Sequence, residues 1–460
     1  MKRVEAINVA DWAGFQGNVL LPGADEYESA RTIWNGMIDR RPALIVQCLT
    51  TEDVVHAVGV ARRNSMPLAV RGGGHNIGGS ALVDDGIVID LSRMKRVDVN
   101  PATRRAVVEG GALLSDMDAA TQAHGLATPL GINSTTGVGG LTLGGGFGWL
   151  SRKYGMTVDN LEAVEMVLAD GRVVRASESS HPDLFWAVRG GGGNFGVVTR
   201  FEFRLHPVGP EVLCGLIVYS MSEATSVLRQ YRDFVAKAPD ELSVWAVMRK
   251  APPLPFLPES VHGQNVVVLA MCHLGDPAAG ASLVEPLRHF GTVLGEHVGP
   301  APLVAWQQAF DPLLTAGARN YWKSHNLDAV SDGFIDCLIE AVDTLPSPHC
   351  EILIVSMGGA ISRVEPGATA YAHRAARFVT NVHGRWESAA EDERGVRWAR
   401  DFFEKAARFA TGGVYVNFIT DDERGRVHAA YGANYQRLAR VKRTYDPDNL
   451  FRVNQNIRPQ

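Results

Sequence analysis

The residues best placed to do chemistry in this chain sit in its glycine clusters. The stretch from Arg71 to Gly79 reads RGGGHNIGG, one histidine among five glycines, directly after the apolar run MPLAV. Three roles compete for His75: a neighbour of a phosphate-cradling loop, a metal ligand, or an imidazole held against a large planar ligand. A metal site needs partner ligands, and neither HxH nor HExxH spacing accompanies His75. A phosphate loop of the GxxxxGK[ST] type needs a lysine that none of the clusters supplies. Near neutral pH an imidazole nitrogen serves as ligand or nucleophile.

Two further clusters follow. GVGGLTLGGGFGWLSRKYG, from Gly137 to Gly155, offers twelve mostly small positions before Trp149. Main-chain N–H groups there can lie against a wide flat or pyrophosphate-bearing ligand. Gly191, Gly193 and Gly196 match GxGxxG, but VVTRFEFRL follows as a strand-like run where the dinucleotide fingerprint needs a helix. That match is set aside. Missing side chains let backbone approach a ligand or another strand closely, and three clusters within about 125 residues point to a common ligand.

The elements that must position these residues are legible in outline. Thr51–Ser65 carries apolar residues at helical spacing behind a Thr cap, and MPLAV then feeds as a strand into the histidine loop. GIVIDLS and RRAVVEGG read as short strands, Leu113–Gly125 as a helix stopped by its glycine, and NLEAVEMVLADGRVVRAS as a hairpin with a primed two-residue Asp-Gly turn. HPDLFWAVRGGGG is a short helix or turn, and FGVVTRFEFRLHPVG alternates at period two, closing one α+β domain near residue 207. Beyond it GLIVYS, LSVWAVM, QNVVVLAMCHL and EILIVSMGG are longer strands, separated by helix-like SEATSVLRQYRDFVAK and SLVEPLRHFG. This pattern predicts an antiparallel sheet covered by helices. APPLPFLPES, with four prolines in ten residues, is a rigid surface loop. From Trp386 to Ala410 a helix or helix pair precedes GGVYVNFI, expected to be another strand, and the tail pairs a helical stretch with an extended end containing Asn454 and Asn456.

Composition narrows the function class. With 45 Lys+Arg against 50 Asp+Glu in 460 residues, the net charge of -5 argues against a nucleic-acid partner. The start, MKRVEAINVADWAGF, lacks the apolar run of a signal peptide, and no later span of about 20 apolar residues suggests a membrane helix. Cys48, Cys214, Cys272, Cys337 and Cys350 are odd in number and scattered without ligand spacing. The expectation is a cytoplasmic protein without a metal site.

Six ordered segments together carry a more specific resemblance: PLAVRGGGHNIGG, GVGGLTLGGGFG, RKYGMTVDNL, DLFWAVRGGGGNFGVVT, GGVYVNF and YDPDNLFRVNQNI. The chain resembles a bacterial member of the FAD-linked oxidase family that includes berberine bridge enzyme, within the vanillyl-alcohol-oxidase-type flavoprotein fold. The resemblance implies an α+β architecture: an FAD-binding domain with mixed sheets over 1–207, completed by 410–460, and a substrate domain over 208–409. It implies that His75 bonds covalently to the flavin 8-methyl carbon and that Arg71, Gly72, Gly73, Gly74, Asn76, Gly79 and Ser80 form the turn that holds the pyrophosphate. Thr136, Gly137, Gly140, Gly144, Gly145, Gly148, Gly193, Gly196, Val198 and Asn454 complete the expected cofactor set. Many relatives add a second bond from a cysteine; Asn133 stands at that position here, which implies attachment through His75 alone.

The same resemblance makes Tyr415 the expected proton acceptor, with Asn417 two residues on along the same strand face. A free tyrosine near pKa 10 is a poor base at neutral pH, so Tyr415 needs a cationic or hydrogen-bonding environment. Arg363, Tyr371 and His373 are further pocket candidates, while Tyr435 and Tyr445 are expected to pack. Thr136 falls where side-chain size governs oxygen access, and a valine-sized residue favours an oxidase that reduces O2 to H2O2. The implied substrate is a sugar hemiacetal or a metabolite alcohol. A dehydrogenase with another acceptor and a flavin-dependent cyclase or isomerase are the alternatives. Oligomeric state is not legible.

Overall fold

The computed structural model describes residues 9–460; residues 1–8, part of the stretch searched for a signal peptide, lie outside the described residues. The chain builds three principal sheets from strands that run in order as β1 Asn18–Leu20, β2 Leu44–Gln47, β3 Leu68–Arg71, β4 Ile87–Asp90, β5 Val97–Asn100, β6 Arg105–Glu109, β7 Leu126–Ala127, β8 Leu161–Val167, β9 Val173–Ser177, β10 Val197–Arg204, β11 His206–Pro207, β12 Glu211–Ser220, β13 Leu242–Lys250, β14 Asn265–His273, β15 Val293–Pro302, β16 Arg319–Leu327, β17 Glu351–Ser356 and β18 Phe378–Trp386.

The first sheet has the order β1-β2-β4-β3, with β4 parallel to both β2 and β3. Parallel strands are covered on both faces, which is why β4 opens on a continuous apolar run from Ile87 to Ile89. The crossover helix Thr51–Arg63 is fixed by a capping box between Thr50 and Asp53, and it buries Val54, Ala57, Val58 and Ala61. Its chain then enters β3 and stops at Arg71, so the strand delivers the histidine loop at its carboxyl end.

The second sheet, β5-β6-β10-β8-β9, is antiparallel. Its β8–β9 hairpin differs from expectation. Leu168 and Arg172 close a three-residue loop through a 2.9 Å bond, and within that loop only Gly171 takes a positive φ, +86°. Either primed two-residue turn needs its first central residue there, and Asp170 does not comply. The strand β10 follows the GxGxxG match directly, with no helix between them.

The third sheet is fully antiparallel, in the order β15-β12-β14-β13-β17-β18-β16. Its two faces differ. Helices Ala224–Val235, Asp332–Asp343 and Asp392–Ala406 cover one, where Val244, Ala246, Met248, Val267, Leu269 and Ile352 are fully buried. Residues one position out of phase face the glycine clusters. Three of its strands escaped the sequence: β15 is a half-exposed edge, and β16 and β18 carry polar side chains such as Lys323, Asn381 and His383 where an apolar alternation was sought. Trp386 ends β18 rather than opening a helix.

The C-terminal segment returns to the first part of the chain. Leu438 and Ala439 of helix Tyr435–Tyr445 share a core with Phe185, Trp186 and Phe195. Lys442, fully buried, donates to Asp446 at 2.6 Å and to the carbonyls of Asn194 and Phe451, tying the tail to the third glycine cluster. GGVYVNFI is not a strand. Val416–Phe418 forms a single 3-10 turn, and the polar side chains around it bond across to the second glycine cluster instead of joining a ladder.

Candidate active site

A cavity of about 320 Å³ lies where the three glycine clusters meet the face of the third sheet opposite those three helices. Gly73 and Gly137 touch backbone to backbone: a Cβ on either would lie 2.3 Å from the other's amide nitrogen. Any side chain there would force the two loops apart. Gly196 likewise presses on the Val167 carbonyl, with a virtual Cβ contact of 2.5 Å.

His75 opens one edge to this cavity while its ring stacks on Trp34 at 4.9 Å. Burial lowers its pKa to about 3, so the imidazole is neutral at physiological pH. Its Nε2 lies 2.7 Å from Thr135 Oγ1, which in turn donates to Asn133 Oδ1 at 2.7 Å. With the Thr135 proton committed to Asn133, the threonine oxygen accepts from Nε2–H, which leaves Nδ1 as the unprotonated nitrogen. Thr136 Oγ1 lies 3.4 Å from Nδ1.

Tyr415 faces the same cavity. Its hydroxyl oxygen accepts from the Gly146 N–H and from Asn417 Nδ2, both at 2.9 Å, and Asn417 Nδ2 also donates to the Leu141 carbonyl at 3.1 Å. Neither contact uses the hydroxyl's own hydrogen. Burial pushes the Tyr415 pKa up to about 12, outweighing the two donors that favour the phenolate. The environment is hydrogen-bonding rather than cationic, and the phenol keeps its proton at neutral pH.

Across the cavity, His383 stacks on Trp322 at 4.1 Å and 7°. Its Nδ1 lies 3.1 Å from Glu351 Oε1, and Arg249 Nη1 donates to Glu351 Oε2 at 2.8 Å. A carboxylate only accepts, so the His383 proton sits on Nδ1, and Nε2 accepts from Asn381 Nδ2 at 2.8 Å. Burial acts to raise the Glu351 pKa, but Arg249 and His383 together hold it below the ordinary value.

Of the expected set, Gly72, Gly73, Gly74, His75, Asn76, Ser80, Asn133, Thr136, Gly137, Gly140, Gly193, Gly196, Val198, Asn454, Tyr415 and Asn417 line this one cavity. Arg71, Gly79, Gly144, Gly145 and Gly148 do not. Arg71 donates to the Ala30 carbonyl and lies 4.0 Å from Asp90, bracing the loop from beneath. Gly79 packs on Ile38, Gly145 on Met156, and Gly148 on the Leu130 carbonyl, while Gly144 makes room for Asn417. Arg363 pairs with Asp240 at the surface, His373 bonds the carbonyls of Ala429 and Ala430, and Tyr371 packs edge-on to Tyr415 at 6.3 Å without reaching the lining. The sequence reading missed Trp34, Trp245, Trp322, Asn381 and His383. Alternation of polar residues along FVTNVHGRW was the available signal.

Comparison with known proteins decides the family. The FAD binding domain profile matches residues 42–177, and the profile of berberine and berberine-like proteins matches residues 414–458. The FAD-linked oxidoreductase YgaK of Bacillus subtilis (strain 168) is 31% identical over 453 residues, covering 96% of this chain and 97% of its own. The chain belongs to the berberine-like FAD-linked oxidoreductases. The (R)-6-hydroxynicotine oxidase of Paenarthrobacter nicotinovorans is 31% identical over 463 residues, with 97% of each chain covered. The crystal structure of 6-hydroxy-D-nicotine oxidase from Arthrobacter nicotinovorans superposes with a TM-score of 0.88 at 30% identity, covering 97% of this chain and 99% of that one.

For this berberine-like oxidoreductase the cavity suits FAD on its own evidence. Buried acceptors lacking a protein partner, Asn454 Oδ1, Gln455 Oε1 and Asn381 Oδ1, belong to residues of the lining. A buried unsatisfied polar atom calls for a ligand or water. The glycine cradle gives close backbone approach, and apolar Leu68, Val70, Leu91 and Phe451 supply flat contact surface. Among the described residues no helix is long and apolar enough to cross a membrane.

Proposed function

We propose that the protein is an FAD-dependent oxidase that removes a hydride from the carbon of an alcohol or hemiacetal in a small metabolite and passes the electrons to O2, yielding H2O2. The observation that carries this reading is the shared cavity of His75 and Tyr415: a neutral imidazole with Nδ1 unprotonated and a buried phenol whose own hydrogen is free. FAD supplies the two-electron acceptor, and His75, with its proton on Nε2, is the residue to which it is attached. Asn133, which fixes Thr135, serves that attachment as a positioning residue.

The remaining chemistry falls to the walls. Tyr415, protonated at neutral pH, donates a hydrogen bond to the reacting oxygen while keeping its proton, and negative charge drawn onto its own oxygen is met by the Gly146 N–H and Asn417. In this reading Tyr415 is a hydrogen-bond donor in place of the proton acceptor expected of it. The base is His383: Glu351 holds its Nδ1–H, and its Nε2 lone pair exchanges the Asn381 contact for the substrate hydroxyl, whose proton it accepts. Trp322 and Trp245 supply flat surfaces that exclude water and orient the carbon. The relative at 31% identity is named an oxidase, which supports O2 as acceptor.

Anaerobic mixing with a panel of sugars and hydroxylated metabolites tests the reading. Bleaching of the flavin by an alcohol, followed on admission of air by recolouring and stoichiometric H2O2, is expected. Bleaching by no alcohol or hemiacetal in the panel refutes the substrate assignment. Recolouring only with an artificial acceptor makes the protein a dehydrogenase.

A further inference from the structure

Beside the main cavity lies a second chamber of about 70 Å³, and the two share Ile132, Trp245, Leu314, Leu353 and His383. Its floor is the same sheet face: Val218, Val247, Val266 and Val268 point into it. Their neighbours one step out of phase, Ile217, Ala246, Val267 and Leu269, are sealed under the helices and fully buried. Its roof is the proline-rich segment, whose Leu254 and Leu257 fold back over the strands. The segment is pinned there by the backbone bonds Ala251 N–H to the Gln264 carbonyl and Gly263 N–H to the Ala251 carbonyl, both 2.8 Å.

The chamber is apolar and electrically balanced. Arg249 and Glu351 are its charged lining residues, and they bond each other at 2.8 Å. A charged group entering it finds no free counter-ion, and a polar group finds few partners. On this face Leu216, Val247 and Leu254 keep part of their surface open. Interiors pack densely, and an apolar space of this kind takes up apolar matter.

We propose that this chamber is a substrate-binding subsite for an uncharged apolar arm, a short alkyl or aryl group carried by the molecule whose alcohol carbon is oxidised in the main cavity. The inference rests on the oxidase reading for the identity of the molecule. The His383 imidazole stands at the junction, so the polar end meets Asn381, His383 and Tyr415 while the arm passes Trp245 and Leu353 toward the valines. The substrate is thereby a mixed molecule with one hydroxylated end and one hydrophobic end, rather than an oligosaccharide polar along its whole length.

The test uses the FAD-loaded enzyme and a series of 4-n-alkylbenzyl alcohols from methyl to hexyl, with binding read from perturbation of the oxidised flavin spectrum. Burial of each methylene is worth ~0.8 kcal/mol, so Kd is expected to fall about fourfold per carbon until the chamber is full, then level off. Val268→Trp, and independently Leu257→Trp, fill the space and should flatten that dependence; the bound-flavin spectrum reports that each variant has folded. A Kd independent of chain length, absence of binding by the longer alcohols, or an undiminished slope in both variants overturns the proposal. Binding with the expected slope but no anaerobic bleaching leaves the subsite standing and removes these alcohols as substrates of the oxidase. Bleaching without the slope does the reverse.

Discussion

Replacing Gly144 by alanine separates the contribution of Asn417 from that of the loop that carries it. Gly144 has φ -93° and ψ -1°, a negative-φ conformation that alanine can adopt, so the substitution needs no left-handed backbone. Its Cβ would stand 2.0 Å from Asn417 Oδ1 and 2.5 Å from Cγ, so the asparagine side chain must swing away. With it goes the 2.9 Å hydrogen bond to the Tyr415 oxygen. If that oxygen gains negative charge as the substrate reacts, the lost bond is of the charge-assisted kind and costs about 1.5–3 kcal/mol. In rate this is roughly 10- to 150-fold. The assay is the anaerobic stopped-flow rate of flavin reduction, with flavin absorbance confirming cofactor content. Gly144→Ala, Asn417→Ala and the double variant should all slow reduction by that factor, and the double no more than Asn417→Ala alone, because both act through one hydrogen bond. A double variant slowed by the product of the two single factors refutes the argument, as does a Gly144→Ala rate within twofold of the parent.

Three further outcomes are expected. His75→Ala should still bind FAD but release it into the supernatant on acid precipitation, while the parent protein keeps its flavin in the pellet; release from the parent would end the covalent assignment. Burial pushes the Asp118 carboxyl up to about 7, against the pull of its hydrogen bond with Gln307. The unfolded chain, with an Asp pKa near 3.9, has then shed a proton that the native state retains, so stability falls by a few kcal/mol as pH rises from about 4 to about 7. Asp118→Asn should remove that slope and raise Tm at pH 8, and an unchanged slope would discount the buried acid. Asp446→Ala strands the buried Lys442 ammonium and should destabilise by about 3–5 kcal/mol in chemical denaturation; a loss below about 1 kcal/mol would show that the Asn194 and Phe451 carbonyls suffice for Lys442.

Where the sequence was informative, local rules sufficed. The capping Thr50, the apolar spacing of Thr51–Arg63 and the run feeding Arg71 placed the histidine loop at a strand end without any long-range information. Where it misled, a distant partner had taken over. Tyr415 and Asn417 were expected to share a strand face; the strand does not form, yet the two side chains still meet, because the turn bonds to Gly146 and Leu141 some 270 residues away. β18 hid for a related reason. A strand whose inward face lines a reaction cavity carries Asn381 and His383 in place of the apolar residues that mark a strand.

The sequence by itself determined the glycine cradle, since close backbone approach is written in residue type and spacing, and its six ordered segments carried the resemblance to the family. It also determined that no cysteine stands at position 133. The tertiary structure alone decided the electrostatics. That Nε2 of His75 carries the proton follows from Thr135 and Asn133, that Tyr415 keeps its hydrogen follows from burial, and that His383 is oriented by Glu351 and Arg249 follows from strands paired far apart in the chain. Proton positions depend on which groups surround a side chain in space and how much water they exclude, quantities that residue order specifies only once the sheets are assembled.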